Sequence, residues 1–223
     1  MLRTVLTSAT AILFLFASAC SSAEPATTIP GWKIKGDEQK SKWKIGTATL
    51  DESNPSKVAY KAEGTELVNT DSGSMNLYTD GTYGDVLVEI EVMVPKGSNS
   101  GVYLMGEYEI QVLDSFGKEK VGPGDMGGIY STAAPKVNAS KKSGEWQKFV
   151  IDFQAPKFEN GKKVKNGVFI KVTLNDVVIH ENVEVTKSTG SGFIGKEVET
   201  GPVMLQGDHG PVAFRNFKIT AKK

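Results

Sequence analysis

Residues 99–116, NSGVYLMGEYEIQVLDSF, constrain the fold of this chain more than any other stretch. Apolar residues occupy the even positions, with one glycine among them, and large, mostly polar residues occupy the odd positions. The even set is Val102, Leu104, Tyr108, Ile110 and Val112, and the odd set is Tyr103, Met105, Glu107, Glu109 and Gln111. This period of two predicts one long β-strand, entered by a tight turn, with its even face buried. Two carboxyl groups and an amide on the odd face predict the floor of a binding cleft; a merely solvated strand face is the alternative.

The rest of the chain has many short segments rich in Val, Ile, Tyr, Phe and Thr, bounded by glycine and polar clusters. The predicted strands are 43–50, 57–62, 66–69, 84–95, 101–114, 146–154, 167–174, 177–180, 202–206 and 211–220. Strands at this spacing without intervening helices predict an all-β sandwich. Two antiparallel hairpins are expected, one joining 84–95 to 101–114 and one with Asn175 and Asp176 in its turn.

The first 19 residues are typical of an export signal. Arg3 precedes an apolar run, Val5 to Ala17, that is too short to span a bilayer. Cys20 is the only cysteine, so it cannot form an internal disulfide. Its place after the apolar run predicts the acylated cysteine of a bacterial lipoprotein, anchored in the cell envelope and sorted to the outer membrane. An ordinary signal peptide cleaved near Ala19 is the alternative.

Composition limits the domain organisation and the partners. Residues 20–31 form a small-residue and proline tether, and residues 32–223 are expected to form one domain. Without Arg3, 25 of the 26 basic residues remain against 26 acidic ones, and they form no extended basic run. The composition therefore argues against nucleic acid as a partner, because phosphate binding needs clustered Lys and Arg.

Two groups stand out as candidates for proton transfer. Glu109 lies in the middle of the odd face, and His209 lies in the sequence QGDHG, residues 206–210. The flanking glycines predict a tight turn that presents His209 at the rim of a cleft, where an imidazole can exchange protons near neutral pH. Asp208 either faces the same cleft or shapes the turn. A surface turn with an incidental histidine is the alternative.

Further side chains are candidates for binding a sugar through hydrogen bonds or aromatic stacking. The predicted substrate-binding residues are Tyr103, Glu107, Gln111, Tyr130, Gln206, Asp208 and Arg215. Arg215 is equally consistent with a structural ion pair, and Trp146, a second aromatic candidate, with core packing. The spacing of Glu109, Gln111 and Asp114 resembles the carboxylate strand of sandwich glycosidases, but Gln111 at its centre argues against a retaining mechanism with two carboxylates.

The sequence has no cluster of metal-binding residues. The two histidines, His180 and His209, are far apart, and no cysteine is available beyond Cys20. A conventional zinc site is therefore excluded, and no cofactor is expected. A structural calcium ion held by loop carboxylates and backbone carbonyls is compatible with the sequence.

Three blocks together resemble the 3-keto-disaccharide hydrolase domain family. They are NSGVYLMGEYEIQVLDSFG at 99–117, GGIYSTAAPKVNASKKSGEWQKFVIDFQAP at 127–156 and GPVMLQGDHGPVAFRNFKI at 201–219. The resemblance runs from about Trp32 to Thr220. It implies a concanavalin A-like jelly roll of two antiparallel sheets with a concave sugar-binding face. The family often has Arg at the position of Met105, beside the expected cleft, so this chain would differ there in specificity or activity.

The resemblance also implies a reaction. A ketone at C3 of a sugar acidifies the C2 proton, so the C1 substituent can leave by elimination and water can add back. Glu109 or His209 would serve as base and acid, and Gln111, Gln206 and Arg215 would bind the enolate or hydroxyl oxygens. A carbohydrate-binding lipoprotein without catalysis is the alternative, because jelly rolls host both functions. The sugar, its linkage and the oligomeric state stay open.

Overall fold

The computed structural model describes residues 29–190 and 192–222, so the expected signal peptide, the lipid anchor at Cys20 and most of the tether lie outside the described residues. The strands are β1 (Trp32–Lys35), β2 (Trp43–Leu50), β3 (Val58–Asn69), β4 (Asn76–Thr79), β5 (Val86–Met93), β6 (Asn99–Leu104), β7 (Tyr108–Leu113), β8 (Gln147–Gln154), β9 (Lys157–Glu159), β10 (Lys162–Lys165), β11 (Gly167–Leu174), β12 (Val177–Val185), β13 (Met204–Leu205) and β14 (Val212–Ala221). The one helical segment of the described residues is a 3-10 turn, Glu38–Lys40.

The strands form two large antiparallel sheets, which confirms the predicted all-β jelly-roll sandwich. One sheet has five strands in the order β1-β4-β13-β6-β7, and the other has seven in the order β12-β11-β8-β5-β14-β3-β2. A small β10-β9 ribbon is separate. The apolar faces of the two large sheets pack against each other to form the main core. Burial of this shared apolar surface is the chief driving force that holds the layers together.

The long strand predicted at 101–114 is in fact a hairpin. Met105 and Gly106 both have positive φ, 54° and 71°, and they end β6 in a three-residue turn before β7 begins. The two arms pair Val102 with Ile110 and Tyr103 with Glu109. Partners in this hairpin have residue numbers of the same parity, so the apolar set still shares one face and the polar set the other. The prediction of a single strand was wrong. The assignment to faces is confirmed for the residues of the two arms, whereas Met105 and Glu107 of the odd set lie in the turn and do not share the polar face.

The predicted hairpin between 84–95 and 101–114 is also wrong. β5 lies in the seven-stranded sheet and β6 in the five-stranded sheet, so the chain crosses between layers at residues 94–98. Both strands bury an alternating apolar face in the same core, and this pattern alone cannot distinguish a hairpin from a crossover. The β11–β12 hairpin is confirmed, with φ of 52° at Asn175 and 67° at Asp176, as a tight turn with two left-handed residues requires.

Further differences concern the number and the bounds of the strands, among them β12, which continues to Val185 beyond the predicted 177–180. The segments predicted at 57–62 and 66–69 form one strand, β3, whose pairing with β2 shifts register between Gly46 and Thr47. Four short strands were not predicted: β1, β4, β9 and β10. Each has only three or four residues, which is too short for a period of two to be recognised.

Candidate functional site

A small open cavity of about 80 Å³ lies on the outer face of the five-stranded sheet, opposite the core. Its lining residues are Asn99, Tyr103, Glu109, Gln111, Tyr130, Gln206 and His209. Six of these seven are residues that the sequence singled out. Asn99 was not identified as a site residue from the sequence. The one sequence signal for it is its odd position on β6, two residues before Gly101.

Glu109 is the central group of the cavity. It pairs across the hairpin with Tyr103 and is only 3% exposed. Burial raises its pKa from the ordinary 4.5 to about 7, although the neighbouring Tyr103 hydroxyl and His209 oppose this rise. The backbone is fixed as well, since Glu109 N donates to Thr189 Oγ1 at 2.7 Å. The result is a buried carboxyl group on a fixed backbone that can exchange a proton near neutral pH.

Gly101 provides the space that this carboxyl group occupies. It lies opposite Gln111 in the hairpin, next to the pair of Tyr103 and Glu109. A methyl group at position 101 would overlap Glu109 Oε1 and would lie 2.9 Å from Tyr103 Cε2. Glycine is therefore needed here for close approach of the carboxyl group to the backbone of β6.

Gln206 is hydrogen-bonded to Tyr103, the cross-strand partner of Glu109. Its Nε2 donates to the Tyr103 hydroxyl at 3.2 Å, and its backbone N donates to Gly101 O at 3.0 Å. Ser100 Oγ donates to the Gln206 carbonyl at 2.7 Å. Burial, reinforced by Glu109, raises the pKa of Tyr103, so the phenol keeps its proton. Gln206 is thus hydrogen-bonded to Tyr103, which pairs with Glu109 across the hairpin.

His209 lies at the cavity rim, on a turn that the protein interior holds in place. The buried Asn69 side chain donates through Nδ2 to the carbonyls of Gly207, at 2.8 Å, and Gly210, at 2.9 Å. His209 Nδ1 is 2.7 Å from Asp208 Oδ1, and the imidazole is about half exposed. Asp208 therefore orients the imidazole and is not among the residues that line the cavity. Nε2 is left as the ring nitrogen available to a ligand.

Tyr130 closes the cavity on another side. Its loop attaches to β7 because Gln111 N donates to Gly128 O, and Gly127 N donates to Gln111 O, both at 2.8 Å. The Tyr130 side chain is 38% exposed. A partly exposed aromatic ring at the rim of a polar cavity can stack on the face of a sugar ring.

Glu107 does not line the cavity, although the sequence indicated it as a substrate-binding residue. It lies in the hairpin turn and is fully buried, where its Oε1 accepts hydrogen bonds from Ile194 N at 2.7 Å and Gly195 N at 3.1 Å. Its Oε2 accepts from Ser188 Oγ at 3.1 Å. The carboxyl group thus holds the loop that follows β12. Met105, expected beside the cleft, is likewise buried in this turn and does not line the cavity.

Arg215 lies on the opposite side of the molecule. Its neighbour Phe214 packs in the main core, so Arg215 projects from the outer face of the seven-stranded sheet. Its Nε donates to Glu91 Oε2 at 2.7 Å, and its guanidinium lies 4.1 Å from the ring centre of Trp146. The interpretation of Arg215 as a cleft cation is wrong, and the structural ion pair is correct. Asp114 also lies outside the cavity and accepts a hydrogen bond from Gly97 N at 3.0 Å.

Glu107→Ala is expected to destabilise the fold by about 1–3 kcal/mol, because it leaves two backbone N–H donors of the loop without their acceptor. Glu107→Gln is the matched control. Its amide oxygen can still accept from both N–H groups, and its amide nitrogen can donate to Ser188 Oγ. Chemical denaturation of the three proteins gives the free energy of unfolding. A value for Glu107→Ala within about 0.5 kcal/mol of the wild type would contradict this role.

No metal site is evident in the described part of the chain, where no three side chains of His, Cys, Asp or Glu converge on a common point. The buried loop carboxylate of Asp125 is already paired with Lys118 at 2.5 Å and accepts from Gly122 N at 2.8 Å. In residues 29–190 and 192–222 there is also no helix long and apolar enough to cross a membrane.

Comparison with known proteins adds a family and a set of structural relatives. The family model of the 3-keto-alpha-glucoside-1,2-lyase-like domain matches residues 25–220. Three solved structures of Parabacteroides distasonis proteins with a provisional assignment as glycosyl hydrolases share the fold. One is 25% identical, with a TM-score of 0.61 over 91% of this chain and 95% of the other. The second is 18% identical, with a TM-score of 0.57 over 86% and 89% of the two chains. The third is 21% identical, with a TM-score of 0.52 over 86% and 99%. No protein of curated function matches the chain.

Proposed function

Since the chain belongs to the 3-keto-alpha-glucoside-1,2-lyase-like domain family, we propose that it cleaves 3-keto-glycosides in the cavity around Glu109. The family match and the glycosyl hydrolase-like relatives support a function on sugars. The observation that carries the specific proposal is the buried carboxyl group of Glu109, whose pKa of about 7 suits proton transfer at carbon.

The reaction follows from the acidity of a proton next to a ketone. Glu109, as the carboxylate, removes the proton from C2, and the electron pair of the C–H bond forms the enolate of the C3 ketone. When the enolate collapses, a double bond forms between C1 and C2, and the C1–O bond breaks. The departing oxygen takes a proton from the acid. Water then adds to C1 and a proton returns to C2, so the net result is hydrolysis of the glycosidic bond.

The cavity contains groups for each of these steps. We assign the acid to His209, because Asp208 holds its Nδ1 and leaves Nε2 free. The enolate oxygen needs hydrogen-bond donors. Gln111 Nε2 uses one N–H to reach Asn99 Oδ1 at 3.1 Å, so a second N–H of Gln111 and the amide group of Asn99 can serve. Tyr130 offers a stacking surface for the ring.

The test of this function is incubation of the purified protein with 3-keto-glycosides and with the corresponding unoxidised glycosides. Release of free sugar or aglycone from the keto compounds alone is expected, since the C2 proton of an unoxidised glycoside is not acidic. Binding of keto sugars without turnover of any of them would overturn the hydrolase and would support the carbohydrate-binding alternative.

His209→Ala is expected to lower turnover by about 10²-fold for a sugar leaving group, the usual scale for loss of a general acid. A p-nitrophenyl 3-keto-glycoside should lose far less activity in the same variant, because nitrophenolate leaves without protonation. The ratio of the two losses, from steady-state kinetics, distinguishes an acid from a residue that only supports the turn. Equal losses for both leaving groups would contradict the assignment of His209 as acid.

We further propose that the protein is lipid-anchored at Cys20 in the bacterial outer membrane, on the evidence of the sequence around this residue. Cys20→Ser should release the protein from the membrane fraction of cells that express the full chain. Immunoblotting of membrane and soluble fractions measures this. A wild-type protein found in the soluble fraction, or a variant that stays with the membrane, would contradict the anchor.

A further inference from the structure

His180 is a buried histidine that the proposed reaction does not use. It lies on β12, an edge strand of the seven-stranded sheet, and is only 2% exposed. Its Nε2 is 2.7 Å from the carbonyl oxygen of Gly127. Because a carbonyl oxygen can only accept, Nε2 carries the hydrogen and donates it. Burial lowers the pKa of His180, so the imidazole is neutral near neutral pH and this N–H is its only donor.

The accepting carbonyl belongs to the loop that carries Tyr130, residues 127–133, called here the Tyr130 loop. This loop lies along β7, an edge strand of the five-stranded sheet. Gly127 N donates to Gln111 O at 2.8 Å, and Tyr130 N donates to Glu109 O at 3.1 Å. The place of the Tyr130 ring at the cavity therefore depends on how the loop backbone is seated against β7.

The strand β12 contacts the other side of the same loop. A methyl group on Gly127 would lie 2.5 Å from Ile179 Cδ1, so the loop backbone lies directly against this strand. The pairing of β12 with β11 shifts register here, and Ile179 has no partner on β11. Its carbonyl instead accepts from Lys136 N at 3.0 Å, just beyond the loop. The irregularity leaves two consecutive residues, Ile179 and His180, buried and in contact with Gly127, as bulges beside functional sites often do.

We propose that His180 is a positioning residue for sugar binding, because its hydrogen bond to Gly127 seats the Tyr130 loop on β7 and keeps the Tyr130 ring at the cavity. His180 is not among the residues that line the cavity, so it acts only through this loop. The inference rests on the proposed function, to which it adds a residue outside the site. Glu109 is held separately by its pairing with Tyr103, so loss of the bond should weaken binding and spare the chemical step.

His180→Met removes the donor and keeps a side chain of similar size. It should raise KM for a 3-keto-glycoside by about fivefold and leave kcat within about twofold of the wild type. His180→Gln should restore KM, because the amide nitrogen of Gln can replace Nε2 as the donor to Gly127 O. His180→Asn has a shorter amide and gives a second loss variant if His180→Met does not fold. Val172→Ala is the matched control, since it removes buried volume from the cross-strand partner of His180 but keeps the imidazole, and KM should not change.

A double-mutant cycle with Tyr130→Ala shows whether His180 acts through the aromatic ring. Tyr130→Ala alone should raise KM by about tenfold, as loss of a stacking surface predicts. Adding His180→Met to Tyr130→Ala should then raise KM by less than about twofold, because the ring that the bond positions is gone. An unchanged KM in His180→Met, or independent effects that multiply to about fiftyfold, would overturn the role of His180 and leave the hydrolase intact.

Amide hydrogen exchange measures the seating of the loop without a sugar. In His180→Met, the amides of Gly127 and Tyr130 should exchange at least about tenfold faster than in the wild type, and Val172→Ala should not affect these two selectively. Unchanged exchange at both amides would overturn the inference.

Binding of the same sugars distinguishes failure of the inference from failure of the proposed function. If keto sugars bind without turnover, dissociation constants from calorimetry replace KM, and the same cycle in binding would support the role of His180 and overturn the hydrolase. A wild type that binds none of these sugars would overturn the hydrolase together with the role of His180 in sugar binding.

Discussion

Glu109→Gln is expected to lower turnover of a 3-keto-glycoside by about 10²-fold or more, because the amide cannot accept the C2 proton. The two side chains are nearly equal in volume, so the hairpin and its pairing with Tyr103 should persist. Steady-state kinetics on the keto substrate measures the loss in kcat. Glu107→Gln is the matched control, since it changes the other buried glutamate of the same hairpin and leaves the cavity lining intact.

The pH dependence should identify Glu109 as the base. Its pKa is about 7, so wild-type kcat/KM should rise roughly tenfold per pH unit between pH 5 and 7, where the carboxylate forms. This rise should disappear in Glu109→Gln and persist in Glu107→Gln. A flat profile for the wild type between pH 5 and 7, or near-normal turnover in Glu109→Gln, would contradict the proposed base.

Glu109→Gln should also stabilise the folded protein at higher pH. Folding raises the pKa of Glu109 from 4.5 to about 7, so the folded chain holds this proton more tightly than the unfolded chain. The contribution of this group to stability therefore falls as pH rises from about 4.5 to 7, and it is constant outside that window. At 1.36 kcal/mol per pH unit the cost above pH 7 is about 3 kcal/mol, and Glu109→Gln should recover much of it. Thermal unfolding of both proteins at pH 5 and pH 8 tests this.

Gly101→Ala is expected to lower turnover by about 10²-fold without unfolding the protein. The added methyl group would overlap Glu109 Oε1 and would lie 2.9 Å from Tyr103 Cε2. Both are side-chain atoms, so the carboxyl group and the phenol ring can shift while the strand stays paired. A displacement of about 1 Å at a reacting group is enough for a loss of this size.

Gly124→Ala provides the matched control, because a methyl group there would meet no atom within 4 Å. Both variants should give wild-type circular dichroism, and only Gly101→Ala should lose turnover. Wild-type turnover in Gly101→Ala would mean that the carboxyl group need not lie against β6. A similar loss in both variants would point to a general effect on the fold.

The sequence predicts which face of a strand a residue occupies better than it predicts which sheet the strand joins. Tyr103, Glu109 and Gln111 follow a period of two, and the structure places them together on one face. Arg215 follows the same period on β14 but projects from the other side of the sandwich, because both sheets have an apolar inner face and a polar outer face. A pattern within one strand contains no information about this choice of layer.

Local sequence patterns also failed to predict two other features of the site, the place of Glu107 and the role of Asn69. Glu107 has the parity of a cavity residue, but Met105 and Gly106 turn the chain there, and a glycine within an apolar run does not by itself reveal a turn. Asn69 holds the turn of His209 from 138 residues away along the chain, measured to Gly207. Contacts of this kind depend on the packing of the two sheets, and no spacing in the sequence indicates them.

The length of the β6–β7 turn has a consequence for how this hairpin can change between relatives. Partners in the hairpin share parity, from Asn99 with Leu113 to Leu104 with Tyr108. Inserting or deleting one residue in the turn can leave these pairs intact, but it offsets the alternation of β7 from that of β6 by one position in the sequence. A change of two residues keeps the alternation continuous through the turn. We therefore expect relatives that keep the carboxyl group of Glu109 over this cavity, but have an even number of residues in the turn, to show the polar positions of β7 out of phase with those of β6.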